Sequence, residues 1–149
     1  MHHQTWIFIA LILVSTVSTV FAADLKTAWE EVEKAKQDGL PQTAIEKLKP
    51  IIEKAIVDKN LGLSVRAVCE KVVMEGNIQG NKAEEKITML EKEIDGLPAE
   101  IRPLLKVVLA RWYWHYFQQN NWRFLNRTAT QGLDEKDFTT WIFPNSLPK

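Results

Sequence analysis

Hydrophobic residues after the first 25 positions recur every three or four residues, which is the spacing of one face of an α-helix. Almost no segment shows the strict alternation of apolar and polar residues that a half-buried strand requires. The pattern therefore predicts an all-α protein. The predicted helices cover residues 27–38, 41 to about 56, 63–75, 82–95 and about 98–118.

Residues at the boundaries support these helices. Thr27 is a predicted N-cap, and Gly39 stands where a left-handed residue ends a helix. Pro50 interrupts the second apolar pattern, which predicts a kink or a short break. Gly76, Asn77, Gly80 and Asn81 together predict a loop.

The predicted helices have similar lengths and short connections, which favours antiparallel helical hairpins. Ala44 with Leu48 is repeated approximately by Ala83 with Ile87, close to the period of a helix-turn-helix repeat. Trp29 fits a position at which tetratricopeptide repeats keep a tryptophan. We therefore expect a tetratricopeptide-like α-solenoid over residues 24–119, followed by an irregular C-terminal extension over residues 120–149.

The segment before the helices is typical of a secretory signal peptide. Residues 6–21 contain no charge, and the small residues Ala22 and Ala23 follow them directly. We expect residues 1–22 to be removed after Ala22, or after Ala23 as the second choice. An uncleaved anchor is the alternative, but this run is short for a membrane span and is interrupted by four hydroxyl side chains. The expected location is the periplasm or surface of a bacterium.

Charge and cysteine content restrict the function further. The nineteen basic and nineteen acidic residues all follow residue 23, so the exported part is neutral overall. This balance disfavours nucleic acid as a partner, because affinity for nucleic acid depends on neutralising phosphates. The single cysteine, Cys69, cannot form an internal disulfide and is interpreted as a small buried residue. We find no phosphate loop, metal-ligand cluster or catalytic constellation, so neither an enzyme nor a cofactor is predicted.

Aromatic residues concentrate in the last predicted helix and just after it. Leu105, Leu109, Trp112 and Tyr116 share one face, while other aromatic and apolar side chains lie on the remaining sides. A helix that is apolar nearly all round is usually buried between layers or pressed against another domain or subunit. Stacking on glycans or on nucleic-acid bases is a rarer alternative. The candidate interaction surface comprises Arg111, Trp112, Trp114, His115, Tyr116, Trp122 and Arg123.

Several short motifs, taken in order, resemble the amino-terminal region of bacterial alpha-2-macroglobulin-like proteins. They are Trp29-Glu30-Glu31-Val32, residues 39–44, the stretch 109–117, Asn121-Trp122-Arg123, Asn126-Arg127-Thr128 and residues 137–141. In that family a comparable segment follows the signal peptide and precedes an array of beta-sandwich domains. The family's protease-trapping activity depends on those domains, and the residues after Cys69 lack the thioester pattern. No functional residue is therefore carried over.

Two hypotheses follow. The leading one is an exported helical interaction module equivalent to the leading segment of a macroglobulin-like protein, with protein as its partner and the last residues forming a truncated linker to missing domains. The alternative is a stand-alone periplasmic protein that binds peptides or glycans through its aromatic surface.

Overall fold

The computed structural model describes residues 24–125 and 137–140, and all regular structure in these ranges is helical. The predicted signal peptide and the Asn126-Arg127-Thr128 motif lie outside the described residues. Helix α1 occupies residues 24–37, and a short 3-10 helix follows the α-helices. The other α-helices are α2 (Pro41–Val57), α3 (Leu61–Ile78), α4 (Ala83–Gly96) and α5 (Arg102–Leu125), and the 3-10 helix is Phe138–Thr140. The all-α prediction is confirmed, whereas the tetratricopeptide-like arrangement stays a prediction.

The chain divides into two units between Glu75 and Gly76. The core of the first unit consists of aliphatic side chains spaced three or four residues apart on α1, α2 and α3. Lys47 of α2 contacts Glu31 of α1 at 2.6 Å, and Lys36 of α1 contacts Glu70 of α3. The buried hydrophobic residues of the first unit are Val32, Ala35, Ala44, Ile45, Leu48, Ile51, Ile52, Ala55, Ala67, Val68, Val72 and Met74.

The ends of the first helices follow local chemistry. Gly39 has a φ of 70°, and the Leu40 N–H donates to the Ala35 carbonyl at 2.9 Å, as in a left-handed C-terminal cap. The predicted closure at Gly39 is thus confirmed. The prediction that Thr27 caps α1 is wrong, because residues 24–26 are already helical and nothing in them stops a helix.

Helix α2 continues through Pro50 without a break. Proline removes the N–H that would bond the carbonyl four residues earlier, at Glu46. Both Pro50 and Glu46 are exposed, so water can hydrogen-bond that carbonyl and the helix is maintained. Of the two predicted alternatives, the short break is therefore absent, whereas the kink stays a prediction.

The second unit is built mainly on the pairing of α4 with α5. Glu84, early in α4, bonds Tyr116, while Glu91, late in α4, bonds Tyr113, so the two helices run antiparallel. Ile87, Leu90 and Ile94 of α4 are buried at the three- and four-residue spacing of one helix face. Within the described residues, no helix combines the length and apolar character needed to cross a bilayer.

Two boundaries of the second unit differ from the sequence prediction. Gly76 and Asn77 lie in the last turn of α3 rather than in a loop. Gly76 is buried, and a Cβ atom there would collide with the Lys86 side chain, so this glycine permits a close approach rather than a turn. The turn is made by Gly80 and Asn81, both with positive φ.

Helix α5 begins and ends later than predicted. It starts at Arg102, whose guanidinium donates to the Leu97 carbonyl at 2.6 Å and the Asp95 carbonyl at 3.1 Å. Pro103 lies in the first turn, as expected. The helix continues to Leu125, so the beginning of the predicted irregular extension is helical.

Candidate aromatic interaction site

Two carboxylates of α4 hold two tyrosines of α5. The Tyr113 hydroxyl donates to Glu91 Oε1 at 2.6 Å, and the Tyr116 hydroxyl donates to Glu84 Oε1 at 2.9 Å. Glu84 and Glu91 are seven residues apart, which places them on the same face of α4 two turns apart. These bonds fix both rings in the helix pair.

The environment of these tyrosines disfavours loss of their protons. Burial, together with the hydrogen bond to Glu91, raises the pKa of Tyr113 well above its ordinary range. Burial and the bond to Glu84 also raise the pKa of Tyr116, with Arg123 acting in the opposite direction. At neutral pH both hydroxyls are donors to carboxylates.

Phe138, from the 3-10 helix, packs against both tyrosine rings edge to face. Its centroid lies 4.9 Å from that of Tyr113 and 5.3 Å from that of Tyr116. Phe124 lies edge to face with Tyr116 at 6.0 Å and tilted against Phe117 at 5.7 Å. Edge to face is a preferred geometry of aromatic pairs, and each such pair contributes roughly 0.5–1.5 kcal/mol beyond burial.

An open groove of about 350 Å³ lies over this aromatic cluster. The indole of Trp114 is 58 % exposed and lies 5.6 Å from the Phe117 ring. Among the described lining residues, the polar side-chain atoms are the two tyrosine hydroxyls and the Trp114 N–H. The groove is lined by Ala110, Tyr113, Trp114, Tyr116, Phe117, Phe124 and Phe138.

The seven residues of the predicted interaction surface do not form one surface. Trp114 and Tyr116 line the groove, but Tyr116 is only 3 % exposed and belongs to the core. Trp112 is half-buried against the same cluster. The other four are exposed outside the lining, namely Arg111, His115, Trp122 and Arg123.

His115 has a partner on its own helix. Its Nε2 lies 2.9 Å from the side-chain nitrogen of Gln119, one turn later. That arrangement does not include a nucleophile or a carboxylate that could make the imidazole a general base.

Sequence reasoning missed Ala110, Tyr113, Phe117, Phe124 and Phe138 as groove residues. Phe117 and Phe124 follow Ala110 at seven-residue intervals, so a helix extended to Leu125 would have placed these three on one face. Phe138 is separated from α5 by a connection with no periodic pattern. No pattern in the sequence indicated the long-range contacts of Phe138.

Cys69 lies in the first unit and is half-buried. Burial, with a smaller contribution from the neighbouring Glu70 charge, raises the pKa of its thiol to about 11. Among residues 24–125 and 137–140, no three potential ligands are grouped to hold a metal ion.

With the geometry established, the chain can be compared with known proteins. No protein-family model matches it, and no curated protein or solved structure is significantly similar to it. The fold and the groove therefore define its class: an all-α protein with an apolar, aromatic-walled groove on its second unit. The resemblance to macroglobulin-like proteins stays a prediction.

Proposed function

We propose that this chain is an exported helical binding module that contacts a protein partner through the aromatic groove of its second unit. The groove lies over a helix pair that is fixed by two tyrosine-carboxylate bonds. A rigid apolar surface with one exposed tryptophan has the composition of protein-binding hot spots, which are enriched in Trp, Tyr and Arg.

The observation that carries this proposal is the exposed position of Trp114 at the groove. More than half of its indole is exposed, although the chain buries comparable aromatic side chains nearby, including Tyr116 and Phe124. Burial of apolar area stabilises by roughly 25 cal/mol per Å². An indole left exposed beside an apolar groove is available to a partner that buries both.

Protein is favoured over glycan by the chemistry of the lining. Sugar recognition combines a stacking ring with polar groups that hydrogen-bond the hydroxyls, as binding pockets generally do. Both tyrosine hydroxyls in the groove already donate to Glu84 and Glu91. Of the lining residues in the described ranges, Trp114 alone keeps a side-chain donor, its indole N–H, for a sugar.

The proposal includes export and equivalence to the leading segment of a macroglobulin-like protein, with a tetratricopeptide-like hairpin arrangement. Two measurements test these parts. The mass of the protein recovered from a bacterial periplasm should show cleavage after Ala22 or Ala23; an intact amino terminus contradicts export by a cleavable signal.

DNA beyond codon 149, read in all frames, should encode beta-sandwich domains, and a different continuation removes the family link.

The binding function is tested by selecting random displayed peptides on the immobilised full chain. Selected peptides should bind the wild type and lose affinity at least about 30-fold for Trp114→Ala, the loss expected for a hot-spot tryptophan. Trp122→Ala is the matched control, because Trp122 is 64 % exposed on the same helix but outside the groove lining.

Three outcomes contradict the proposal. Selection that enriches no peptide removes the peptide-binding function. Equal losses for Trp114→Ala and Trp122→Ala place binding outside the groove. Glycan-array binding that depends on Trp114, without peptide binding, establishes instead the alternative of a periplasmic glycan-binding protein.

A further inference from the structure

Helix α5 carries a second apolar stripe besides the face that packs on α4. Val107, Ala110, Trp114, Phe117 and Asn121 follow one another at spacings of three and four residues, and we call these five residues the outer seam. Val107 is 69 % exposed and Trp114 is 58 % exposed, while Ala110 and Asn121 are also exposed and Phe117 is half-buried. Part of this seam forms one wall of the groove.

The spacing of the outer seam points to a helix as the occupant. Alternating steps of three and four residues are the pattern of positions a and d in a coiled coil, where side chains of one helix fit between those of another. An extended strand places side chains on one face about 6.7 Å apart, so it does not stay in register with seam residues that follow one another about every 5.3 Å. Asn121 occupies an a position, at which a polar residue commonly fixes the register of paired helices.

The charges beside the seam indicate the partner's chemistry. Helix α5 contains Arg102, Lys106, Arg111 and Arg123 but no Asp or Glu. Arg111 lies one turn from both Val107 and Trp114, and Lys106 lies one turn from Ala110, so one cation flanks each side of the seam.

These two cations differ from the other basic residues of α5. Arg102 donates hydrogen bonds to carbonyls at the end of α4, and Arg123 interacts with Tyr116 in the direction that lowers its pKa. Lys106 and Arg111 are exposed, and neither forms an ion pair with any residue in the described ranges.

Resting on the proposed protein-binding function, we infer that the outer seam of α5 binds an amphipathic helix whose apolar face is flanked by acidic side chains. The apolar face of that helix covers Val107, Ala110, Trp114 and Phe117. Its carboxylates pair with Lys106 and Arg111 at the rim, where charges set specificity and association rate more than affinity. This is the helix-in-groove mode of recognition.

The test is a displayed library of helical peptides with apolar residues fixed at a and d and with Glu, Lys or Gln allowed at the flanking e and g positions. Selection on the full chain should enrich Glu at e and g. Peptides recovered with Glu should bind at least about tenfold more tightly than their Lys counterparts in low salt, and the difference should shrink in high salt, because salt screens exposed charges.

Two variants of the full chain sharpen this test. The double variant Lys106→Glu with Arg111→Glu should reverse the preference and enrich Lys at e and g. Val107→Asp should weaken every selected peptide, whereas the matched change Val57→Asp in the first unit, where Val57 is 77 % exposed, should not. Circular dichroism checks that each variant is as helical as the wild type.

Several results overturn the inference while sparing the proposed function. If the random library yields peptides that depend on Trp114 but are neither helical nor acidic, the proposed binding function is retained and the acidic helical partner is excluded. Enrichment of Lys, or no preference at e and g, does the same. Concentration-dependent dimers that Val107→Asp dissociates in sedimentation would identify a second copy of this chain as the occupant. If no library yields a binder, both proposals fail.

Discussion

The two units of this chain close their apolar surfaces differently. The described part of the first unit buries small aliphatic side chains, and its exposed large apolar residues, Leu40, Val57 and Leu61, are single residues at helix ends. The second unit uses a core rich in aromatic rings and leaves Leu104, Val107 and Trp114 exposed along one helix.

The difference follows from side-chain size and hydrogen-bonding capacity. Alanine, valine and isoleucine fill most of the space between the helices of the first unit without polar atoms, and its buried Ser64 hydroxyl donates to the Asn60 carbonyl of the preceding turn. Tyr113 and Tyr116 each bring a hydroxyl that needs an acceptor, and Glu91 and Glu84 provide it. Aromatic content by itself therefore does not mark a binding surface, because Tyr116, Phe124 and Phe138 are buried in the core whereas Trp114 and Trp122 are exposed.

The largest effect should come from the aliphatic core. Leu48 is 0 % exposed, so Leu48→Ala should lower the free energy of unfolding by about 2–5 kcal/mol through lost burial and a cavity. Leu40, at 51 % exposure, is the control: Leu40→Ala should change it by less than about 1 kcal/mol. Urea unfolding followed by circular dichroism measures both. Similar values for the two variants would contradict the description of a closed core.

A somewhat smaller effect is expected in the aromatic core. Phe138→Ala removes a ring that is 5 % exposed and contacts Tyr113 and Tyr116, and should cost roughly 2–4 kcal/mol. Phe138→Leu keeps most of the apolar volume without the ring-edge contacts and should cost about 1–2 kcal/mol. Near-ultraviolet circular dichroism should weaken in both. Unchanged tyrosine signals would show that Phe138 does not order this cluster.

The contrast between the units also explains which features of the fold could be predicted from the sequence. Helical periodicity was sufficient for the number and order of the α-helices, because Ala44, Ile45 and Leu48 repeat at the spacing of a buried face. The ends of the helices were harder to predict from the sequence. Glycine usually indicates a turn, but Gly76 allows close packing against Lys86. Only a tertiary contact distinguishes a glycine that allows close packing from a glycine that makes a turn.

The candidate site was harder to predict for the same reason. Composition identified the aromatic segment of α5, including Trp114, but could not separate the exposed indole from the buried Tyr116. That separation depends on which face meets α4, and on Phe138, which reaches the cluster from far along the chain. Neither fact has a local sequence pattern.

The tyrosine-carboxylate bonds can be tested through pH. An unfolded tyrosine loses its proton near its ordinary pKa of about 10, whereas folded Tyr113 keeps it because its pKa is raised. Above about pH 10 the folded state therefore binds more protons than the unfolded state, and stability falls as pH rises. Tyr113→Phe removes this group and should lose less stability between about pH 9 and about pH 11.

At neutral pH the same variant should cost about 1–2 kcal/mol, because Glu91 loses a donor. Urea unfolding at several pH values measures both effects, with His115→Phe, on the exposed side of the same helix, as the control. A Tyr113→Phe variant with the same alkaline loss as the wild type would show that another group causes it.

The smallest effect concerns reactivity and tests whether the first unit is as closed as its core suggests. Burial raises the pKa of the Cys69 thiol to about 11, so about one thiol in a thousand is ionised at pH 8, compared with roughly a quarter for a free cysteine. Alkylation by iodoacetamide should therefore be about a hundredfold slower in the folded chain than in guanidinium. Mass spectrometry of timed samples gives both rates. Equal rates would mean that α3 exposes this thiol readily and that the first unit is not closed around it.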